Sequence, residues 1–596
     1  MAHLLHFQTN FLKLVFATLL TTQTLPLFHY HGGTNSDAVV PIGYCHALST
    51  TTPSKWQNPA SMEHSSKPLI RRVAIIGSGI AGLSTAHALV SPALTGLSST
   101  ASPSSPLVPR PQVTLFDSRP KLDGPVSGAG VQLNGGLAAL KLIDPNVQQA
   151  VINAGLFQGT VRSRAKAWSS STSSSFDTLL ELSLKDVIRK AGGAASASLI
   201  EKDQLLWITI MRGALQEALF ETLPKDDNDQ PLVKVQFSKQ LVGLQGIQQS
   251  NNKTESNNDS GILCQFSDGT ASGPFDLVIG CDGIKSAVKE FVHKGSISSD
   301  ASKREGVAAG LYTGIRIRYA VQEEKDQKWE KVPTSKDADP VTLTQYFGDG
   351  AYCLSGIYGT GPNRPRTKCA FIIFLDPDYI GPYKKRKNIE AGVTSAVVKT
   401  TALRENADWS QDVQEVAERS RQTMLQQLRD CGIPPDELQP VIENADRFFE
   451  LGVYAHNPFC EWSKQVPGSG GAYAVLCGDA AHALPPFLGQ GSNQAIQDAY
   501  SLGLHIRQYN EMISRSNNNL DDDSTAIQLG TFLKQYESIR WPANFQIFWK
   551  ASFLGYLETG GANGFYAKFR DIFFKTMGLI GVAQRVLVDA ATPKLK

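Results

Sequence analysis

The sequence predicts an α/β fold organised on a parallel sheet, and three stretches carry that reading. Val73-Ala74-Ile75-Ile76 runs into Gly77-Ser78-Gly79-Ile80-Ala81-Gly82. Phe275-Asp276-Leu277-Val278-Ile279-Gly280-Cys281 runs into Asp282-Gly283, and Tyr473 to Cys477 runs into Gly478-Asp479. Each is a short, mainly aliphatic run closed by glycine or a short acid. Runs of this kind without polar alternation suit strands buried on both faces, as in a parallel sheet covered by helices.

The first run reads as a strand, a turn and a helix. Gly77 permits the tight turn, Gly79 lets backbone approach a pyrophosphate, and Gly82 lets the helix pack close to its strand. The helix begins near Ile80, carries Leu83, Ala86 and Leu89 inward, and turns its free amides and positive dipole end toward phosphate. Val113-Thr114-Leu115-Phe116-Asp117 reads as the second strand, ending in a carboxylate suited to ribose hydroxyls. Such an acid is expected about 20 residues after the glycines. Asp117 comes about 40 after Gly77, and the Ser- and Pro-rich stretch from Ser91 to Gln112 accounts for the delay as an insertion.

Further along, Leu205 to Leu223 has helical spacing, with Ile208, Met211, Leu215 and Leu219 on one face and Arg212 near its middle. A guanidinium there either reaches solvent over its stem or clamps a phosphate. Phe275 to Gly280 reads as one strand, and Ser286 and Val288 lead into a helix. After Gly478-Asp479, Pro485 and Pro486 stiffen a loop, and Gly489 and Gly491 open a helix through Ser492, Asn493, Ala495, Ile496 and Ala499. His482 in this loop reads as structural rather than catalytic.

Between the second and third runs, Gly310 to Arg318, Val341 to Phe347, Ala351 to Tyr358 and Cys369 to Leu375 read as strands, and Asp412 to Cys431 as an amphipathic helix. Tyr346, Tyr352 and Tyr358 read as packing residues that could also line a pocket. The tail crowds Phe545, Phe548, Trp549, Phe553, Tyr556, Phe565, Tyr566, Phe569, Phe573 and Phe574 among Lys568, Arg570 and Lys575. It reads as a helical cover, with peripheral membrane contact as the sharper alternative.

Composition bounds the rest. The 596 residues are 41% hydrophobic with a formal net charge of +2, so nucleic-acid binding has little electrostatic support. Eight cysteines without a C-x-x-C pair read as buried thiols rather than a zinc site. Lys13 before Leu14-Val15-Phe16-Ala17-Thr18-Leu19-Leu20, then a Ser- and Thr-rich, acid-poor stretch to Lys67, has the form of a two-part plastid leader. A secretory or membrane-associated destination is the alternative. Ser169 to Ser175, Gln248 to Ser260 and Ser514 to Ser524 read as surface loops.

On these three motifs, and on Gly128-Ala129-Gly130-Val131-Gln132-Leu133, Arg212, the Trp462 region and Tyr536-Glu537-Ser538-Ile539-Arg540, the chain resembles the single-component FAD-dependent aromatic-ring hydroxylases, the class A flavoprotein monooxygenases. In Tyr312-Thr313-Gly314 and the tail it is similar to zeaxanthin-epoxidase-like enzymes. The resemblance implies a Rossmann-type, glutathione-reductase-like FAD-binding domain with an interleaved β-sheet substrate domain and C-terminal helices. It divides the chain into a targeting presequence (1–70, largely disordered), FAD-binding segments (71–305 and 469–510), a substrate domain (306–468) and a helical tail (511–596). Gly77, Gly79 and Gly82 would then cradle the pyrophosphate, Asp117 the adenosine ribose, with Arg119 flanking adenine and Arg212 near the phosphates. Asp282 and Gly283 would serve FAD and the approach of NAD(P)H, Gly478 and Asp479 the ribityl chain, and Gly489, Gly491, Ser492 and Asn493 the flavin ring, with Pro485 and Pro486 beside it. Asp117 stands where a longer Glu is usual and Cys281 where Ala is common.

The implied activity uses NAD(P)H and O2 to hydroxylate or epoxidise an organic, apolar substrate through a flavin C4a-hydroperoxide. No catalytic side chain and no metal is assigned, because the chemistry belongs to the cofactor. A related reductase or dehydrogenase without oxygen transfer, and a noncatalytic flavoprotein, stay open as alternatives.

Overall fold

The computed structural model describes residues 69–91, 110–166, 176–248, 260–298, 310–324, 340–377, 411–433, 435–518, 528–560 and 564–595. The leader, the insertion within Ser91 to Gln112, the Ser169 to Ser175 run and the interior of Gln248 to Ser260 lie outside the described residues. All described residues belong to the second of two compact units, Ser66–Lys596.

Six strands form one sheet in the order Ser463–Gln465, Tyr473–Leu476, Leu277–Gly280, Arg72–Ile76, Gln112–Phe116, Val233–Gln236. All neighbours are parallel except the Ser463–Gln465 edge. The central strands are Val-, Ile- and Leu-rich and buried on both faces, as continuous aliphatic runs require. The Ile80–Val90 helix covers one face, and Gly491–Asn518 packs upon it so closely that a Cβ at Gly503 would lie 2.8 Å from that of Ala88.

A second, nine-stranded mixed sheet runs Arg447–Ala455, Leu311–Glu323, Thr367–Leu375, Ala351–Tyr358, Val341–Phe347, Leu156–Lys166, Ile208–Met211, Gly130–Leu133, with Phe176–Ser183 paired to Leu156–Lys166. Its strands come from both sides of the Leu277–Gly280 run, so the chain passes between the two sheets more than once. Helices Leu529–Thr559, Gly564–Leu579 and Val582–Ala591 close the molecule. The fold is thus α/β with mixed sheets and C-terminal helices.

Three local expectations are corrected. The helix expected over Leu205 to Leu223 begins only at Arg212 (Arg212–Glu221), and Ile208–Met211 is a strand. Its pairing with Gly130–Leu133 and Leu156–Phe157 satisfies its backbone and suits its β-branched isoleucines, which overrides the helical periodicity. The single strand expected over Phe275 to Gly280 breaks at Asp276. Phe275 closes the antiparallel strand Ala271–Phe275, and the Asp276 carboxylate turns to pair with Arg72 at 2.7 Å. The stretch from Ser514 begins as helix, because Gly491–Asn518 continues through it.

Candidate functional site

The parallel registers align Phe116, Ile76, Gly280 and Leu476 in one row. Three strand intervals of about 4.8 Å make this row about 14 Å wide. Just beyond it the same edge of the sheet carries Asp117, the Gly77–Gly82 turn, Asp282-Gly283 and Gly478-Asp479. The carboxyl edge of an open parallel sheet is where such folds bind ligands, because turns and helix N-termini gather there.

The three turn glycines play different parts. Gly77 has φ +103°, and a Cβ there would lie 2.5 Å from the Cys281 carbonyl oxygen. A Cβ on Gly82 would lie 1.9 Å from the Gly77 oxygen. These two close the strand–helix junction. Gly79 has ordinary φ and ψ, and its Cβ would meet no protein atom within 4 Å. No side chain caps the Ile80–Val90 helix, so its first amides have no side-chain acceptor, an arrangement suited to an anion. Gly491, at the start of the second helix, is equally open.

Asp117 is buried and heavily bonded. One oxygen accepts from the Ser78 amide (2.8 Å) and hydroxyl (2.6 Å), the other from the Arg119 amide (2.8 Å) and Nε (3.0 Å). Burial raises its pKa, but the bonds from Arg119 and Ser78 outweigh that and hold it below the usual carboxylate value. Arg119 also reaches Asp123 at 2.7 Å, and the exposed Arg212 guanidinium lies 3.8 Å from the same carboxylate. Gln216 on the Arg212 helix donates to the Ser78 carbonyl at 2.5 Å, which ties that helix to the glycine turn.

Asp282 spends its carboxylate on the helix that follows. It accepts from the Ser286 hydroxyl and from the Ala287 amide at 2.6 Å, capping Ala287–Lys294. Burial nonetheless raises its pKa. Gly283 beside it has open space where a Cβ would stand. Asp479 differs. Its side chain is exposed, yet surrounding protein desolvates it enough to raise its pKa against the pull of His482 and Arg212.

Asn493 does not offer its side chain to a ligand. Its oxygen accepts from the amides of Asn134 (2.8 Å) and Gly136 (2.9 Å), and its nitrogen donates to the carbonyls of Gln132 (3.0 Å) and Gly489 (3.2 Å). All four positions of the amide are used in clipping the Gly130–Leu133 strand to the Gly491–Asn518 helix. Ser492 and Gly489 are half-buried, Pro485 is buried and Pro486 is exposed.

Sequence reasoning missed the support beneath the Gly478-Asp479 turn. Asp498 is fully buried, accepts from the Gly478 amide at 3.1 Å, pairs with His482 and takes Arg540 Nε at 2.7 Å. Burial raises its pKa, but His482 and Arg540 together hold it low. His482 thus spends Nε2 on the Asp498 carboxylate inside the protein. From the other side, buried Lys289 donates to the Ala481 carbonyl at 3.0 Å, and burial brings its pKa down to about 8. An acid at Asp498, amid Ala495, Ile496 and Ala499, was the available signal, since an acid on such a face needs a partner. Tyr346, Tyr352 and Tyr358 are all buried in the nine-stranded sheet and its cover. No group of three or more metal-ligating side chains occurs among the described residues.

A family model described as an FAD binding domain matches residues 473–511, the Tyr473–Leu476 strand through most of the second helix. The chloroplastic zeaxanthin epoxidase of Prunus armeniaca is 26% identical over 157 residues, 25% of this chain and 21% of that one. That of Nicotiana plumbaginifolia is 31% identical over 100 residues, 17% of this chain and 13% of that one. The chain thus matches about a fifth or less of these relatives' length. Over nearly its whole length it shares the fold of Klebsiella pneumoniae HpxO complexed with FAD and uric acid, with a TM-score of 0.53 at 16% identity, covering 88% of this chain and 97% of that one. The class is therefore that of a chain with an FAD-binding-domain segment in the fold of an FAD-complexed protein. Within it, the chain resembles the single-component FAD-dependent monooxygenases.

Proposed function

We propose that this chain is an FAD-dependent monooxygenase that uses NAD(P)H and O2 to hydroxylate or epoxidise an organic, apolar substrate. The supporting observation is the single sheet edge at which uncapped helix amides, open Gly79 and Gly491 and an accessible Asp479 gather. The residues fit the cofactor, since the open positions are those where backbone must approach a pyrophosphate and a ring, and the clashing glycines are those that hold the turn. Bound FAD would supply the redox chemistry, passing electrons from reduced nicotinamide to O2.

The chain's own residues bind and orient. The amides at Gly79 to Gly82 and Arg212 would hold phosphate, Asp479 a ribityl hydroxyl, and the amides at the start of the second helix the charged edge of the ring. Asn493 would act through its backbone only. Asp117 would meet the ribose once Arg119 turns aside. The Asp498–Arg540 pair and Lys289 fix the Gly478-Asp479 turn from beneath. Residues 71–305 and 469–510 would form the cofactor domain and 306–468 the substrate domain.

The test is to purify the full chain, record its visible flavin absorption, and screen phenolic and lipophilic compounds for substrate-stimulated NAD(P)H oxidation with isotopically labelled O2. Label in the product is the expected result. Nicotinamide oxidation with no label in any product would favour a reductase, and flavin that no nicotinamide bleaches a binding protein. The chloroplastic relatives support a plastid destination, which a fluorescent fusion to the residues before Arg71 would report.

A further inference from the structure

Three arginines among the described residues are buried, Arg447, Arg540 and Arg570. Two of them face a carboxylate inside the protein, Arg540 at Asp498 and Arg570 at Asp571. Arg447 does not. Its Nη1 donates to the Val126 carbonyl at 3.1 Å, and its Nε and Nη2 are buried without a hydrogen-bond partner among the described residues. The adjacent Asp446 accepts instead from the Glu323 amide at 2.8 Å. A guanidinium keeps its charge in any fold and offers its donors in a flat fork. Burying that charge without an acid is costly, so two orphaned donors point to a ligand.

Arg447 opens the strand Arg447–Ala455, whose alternation puts it on one face with Phe449 and Leu451. Opposite these three in register stand Val321, Tyr319 and Ile317. Tyr319 stacks on Phe449 with ring centroids 4.6 Å apart, and on Phe371 at 5.2 Å. Tyr358 shares the face, since it meets Phe371 edge-on at 6.4 Å. A Cβ on Gly130 would lie 2.4 Å from the Tyr358 ring. The Arg447 face is therefore the one turned to the Gly130–Leu133 strand, which Asn493 ties to the start of the second helix. Ile317, Phe449 and Leu451 are only half-buried there, which leaves apolar surface uncovered. Burial raises the Tyr319 pKa, and Arg212 and Arg447 both pull against it, so two guanidinia gather near one hydroxyl.

We propose that Arg447 anchors the substrate through an acidic oxygen group, a carboxylate or an ionised phenol, while the apolar body of the molecule lies on Ile317, Phe449 and Leu451. The inference rests on the monooxygenase reading and narrows its substrate to an apolar molecule with one anionic end. A carboxylate matches the fork with parallel charge-assisted bonds, whereas an amide sets its own donor against the donors of Arg447.

The test compares wild type, Arg447→Met and Arg447→Lys as purified full chains. Without ligand, Arg447→Met should melt no lower than wild type, because it removes a charge that has no partner. A clear fall in its melting temperature would mean that the chain itself supplies the partner, and would overturn the proposal. Benzoate, cinnamate and octanoate are then titrated beside their amides, with binding read from the melting temperature and the visible flavin spectrum. At least one acid should bind wild type about tenfold or more tighter than its amide, the worth of a charge-assisted hydrogen bond. Arg447→Met should bring that pair within about twofold, and Arg447→Lys should keep part of the difference. Preference for no acid over its amide, or an acid preference that survives in Arg447→Met, would overturn the assignment. Loss of flavin from folded Arg447→Met would give the anion to the cofactor's phosphates instead. These readouts need no turnover, so a chain that binds acids through Arg447 yet never transfers oxygen fails the monooxygenase reading alone.

Discussion

At the scale of single residues, the glycines of the first turn separate folding from binding. Gly79→Ala places a methyl where no protein atom stands and leaves an unstrained backbone, so the fold should keep its melting temperature. The same methyl occupies the approach to the phosphates, so the purified protein should lose its visible flavin absorption. Gly82→Ala, by contrast, drives a Cβ into the Gly77 carbonyl and should depress stability and flavin together. Retention of full flavin by a folded Gly79→Ala protein would remove the pyrophosphate from this turn. Glu558 makes a second residue-scale case. It is buried beside the Tyr352 hydroxyl, and burial raises its pKa from 4.5 to about 8. The unfolded chain releases this proton near 4.5 while the fold keeps it to about 8, so the group lowers stability progressively as pH rises through that window. Glu558→Gln removes the titration. Its melting temperature relative to wild type should therefore be more favourable at pH 8 than at mildly acidic pH, and thermal melts would show it.

At the scale of elements, the turn after Tyr473–Leu476 is held by two helices distant in sequence. Asp498 comes from Gly491–Asn518 and Arg540 from Leu529–Thr559, and both are fully buried. Removing one partner of a buried pair strands the other charge, a loss of about 3–5 kcal/mol. Arg540→Met should cost about that much in denaturant unfolding. It should also weaken flavin retention, because Asp498 would then lose the cation that keeps it fixed against the Gly478 amide. Asp498→Asn keeps an acceptor for that amide, and its flavin loss should be smaller than that of Asp498→Ala. If both Asp498 variants bind flavin equally, the turn is held by other means. Helix Arg212–Glu221 shows the same logic. Its Gln216 donates to the Ser78 carbonyl, and that bond fixes where the helix carrying Arg212 stands relative to the glycine turn.

At the scale of the whole molecule, the chain crosses between its two sheets several times. Strands from 130 to 211 join a sheet completed by strands from 311 to 455, while the parallel sheet draws on 72 to 116, 233 to 280 and 463 to 476. No segment of either sheet can close its core alone. Asn493 bridges this crossing, since its amide joins the Gly130–Leu133 strand to the second helix. Asn493→Ala is expected to destabilise the whole fold rather than change the affinity of an intact site, and unfolding curves with flavin present and absent would separate the two. The tail helices pack against the nine-stranded sheet, where Phe574 stacks on Phe347.

Much of the sheet edge was legible in the chain itself. Aliphatic runs closed by Gly77, Asp282 and Gly478 announce buried parallel strands, because only continuous apolar stretches suit a sheet covered on both faces. The glycines that close the first strand–helix junction, Gly77 and Gly82, were legible as well. What the sequence could not decide was which groups those motifs spend on one another. Asp117 on Arg119, Asp282 on its own helix and Asn493 on a distant strand are choices made by neighbours hundreds of residues away or by a local turn. Ile208–Met211 became a strand for the same reason, since two partner strands waited beside it. Pattern records what a segment prefers in isolation, whereas hydrogen bonds and buried charge are satisfied only by the partners that the folded chain brings within reach.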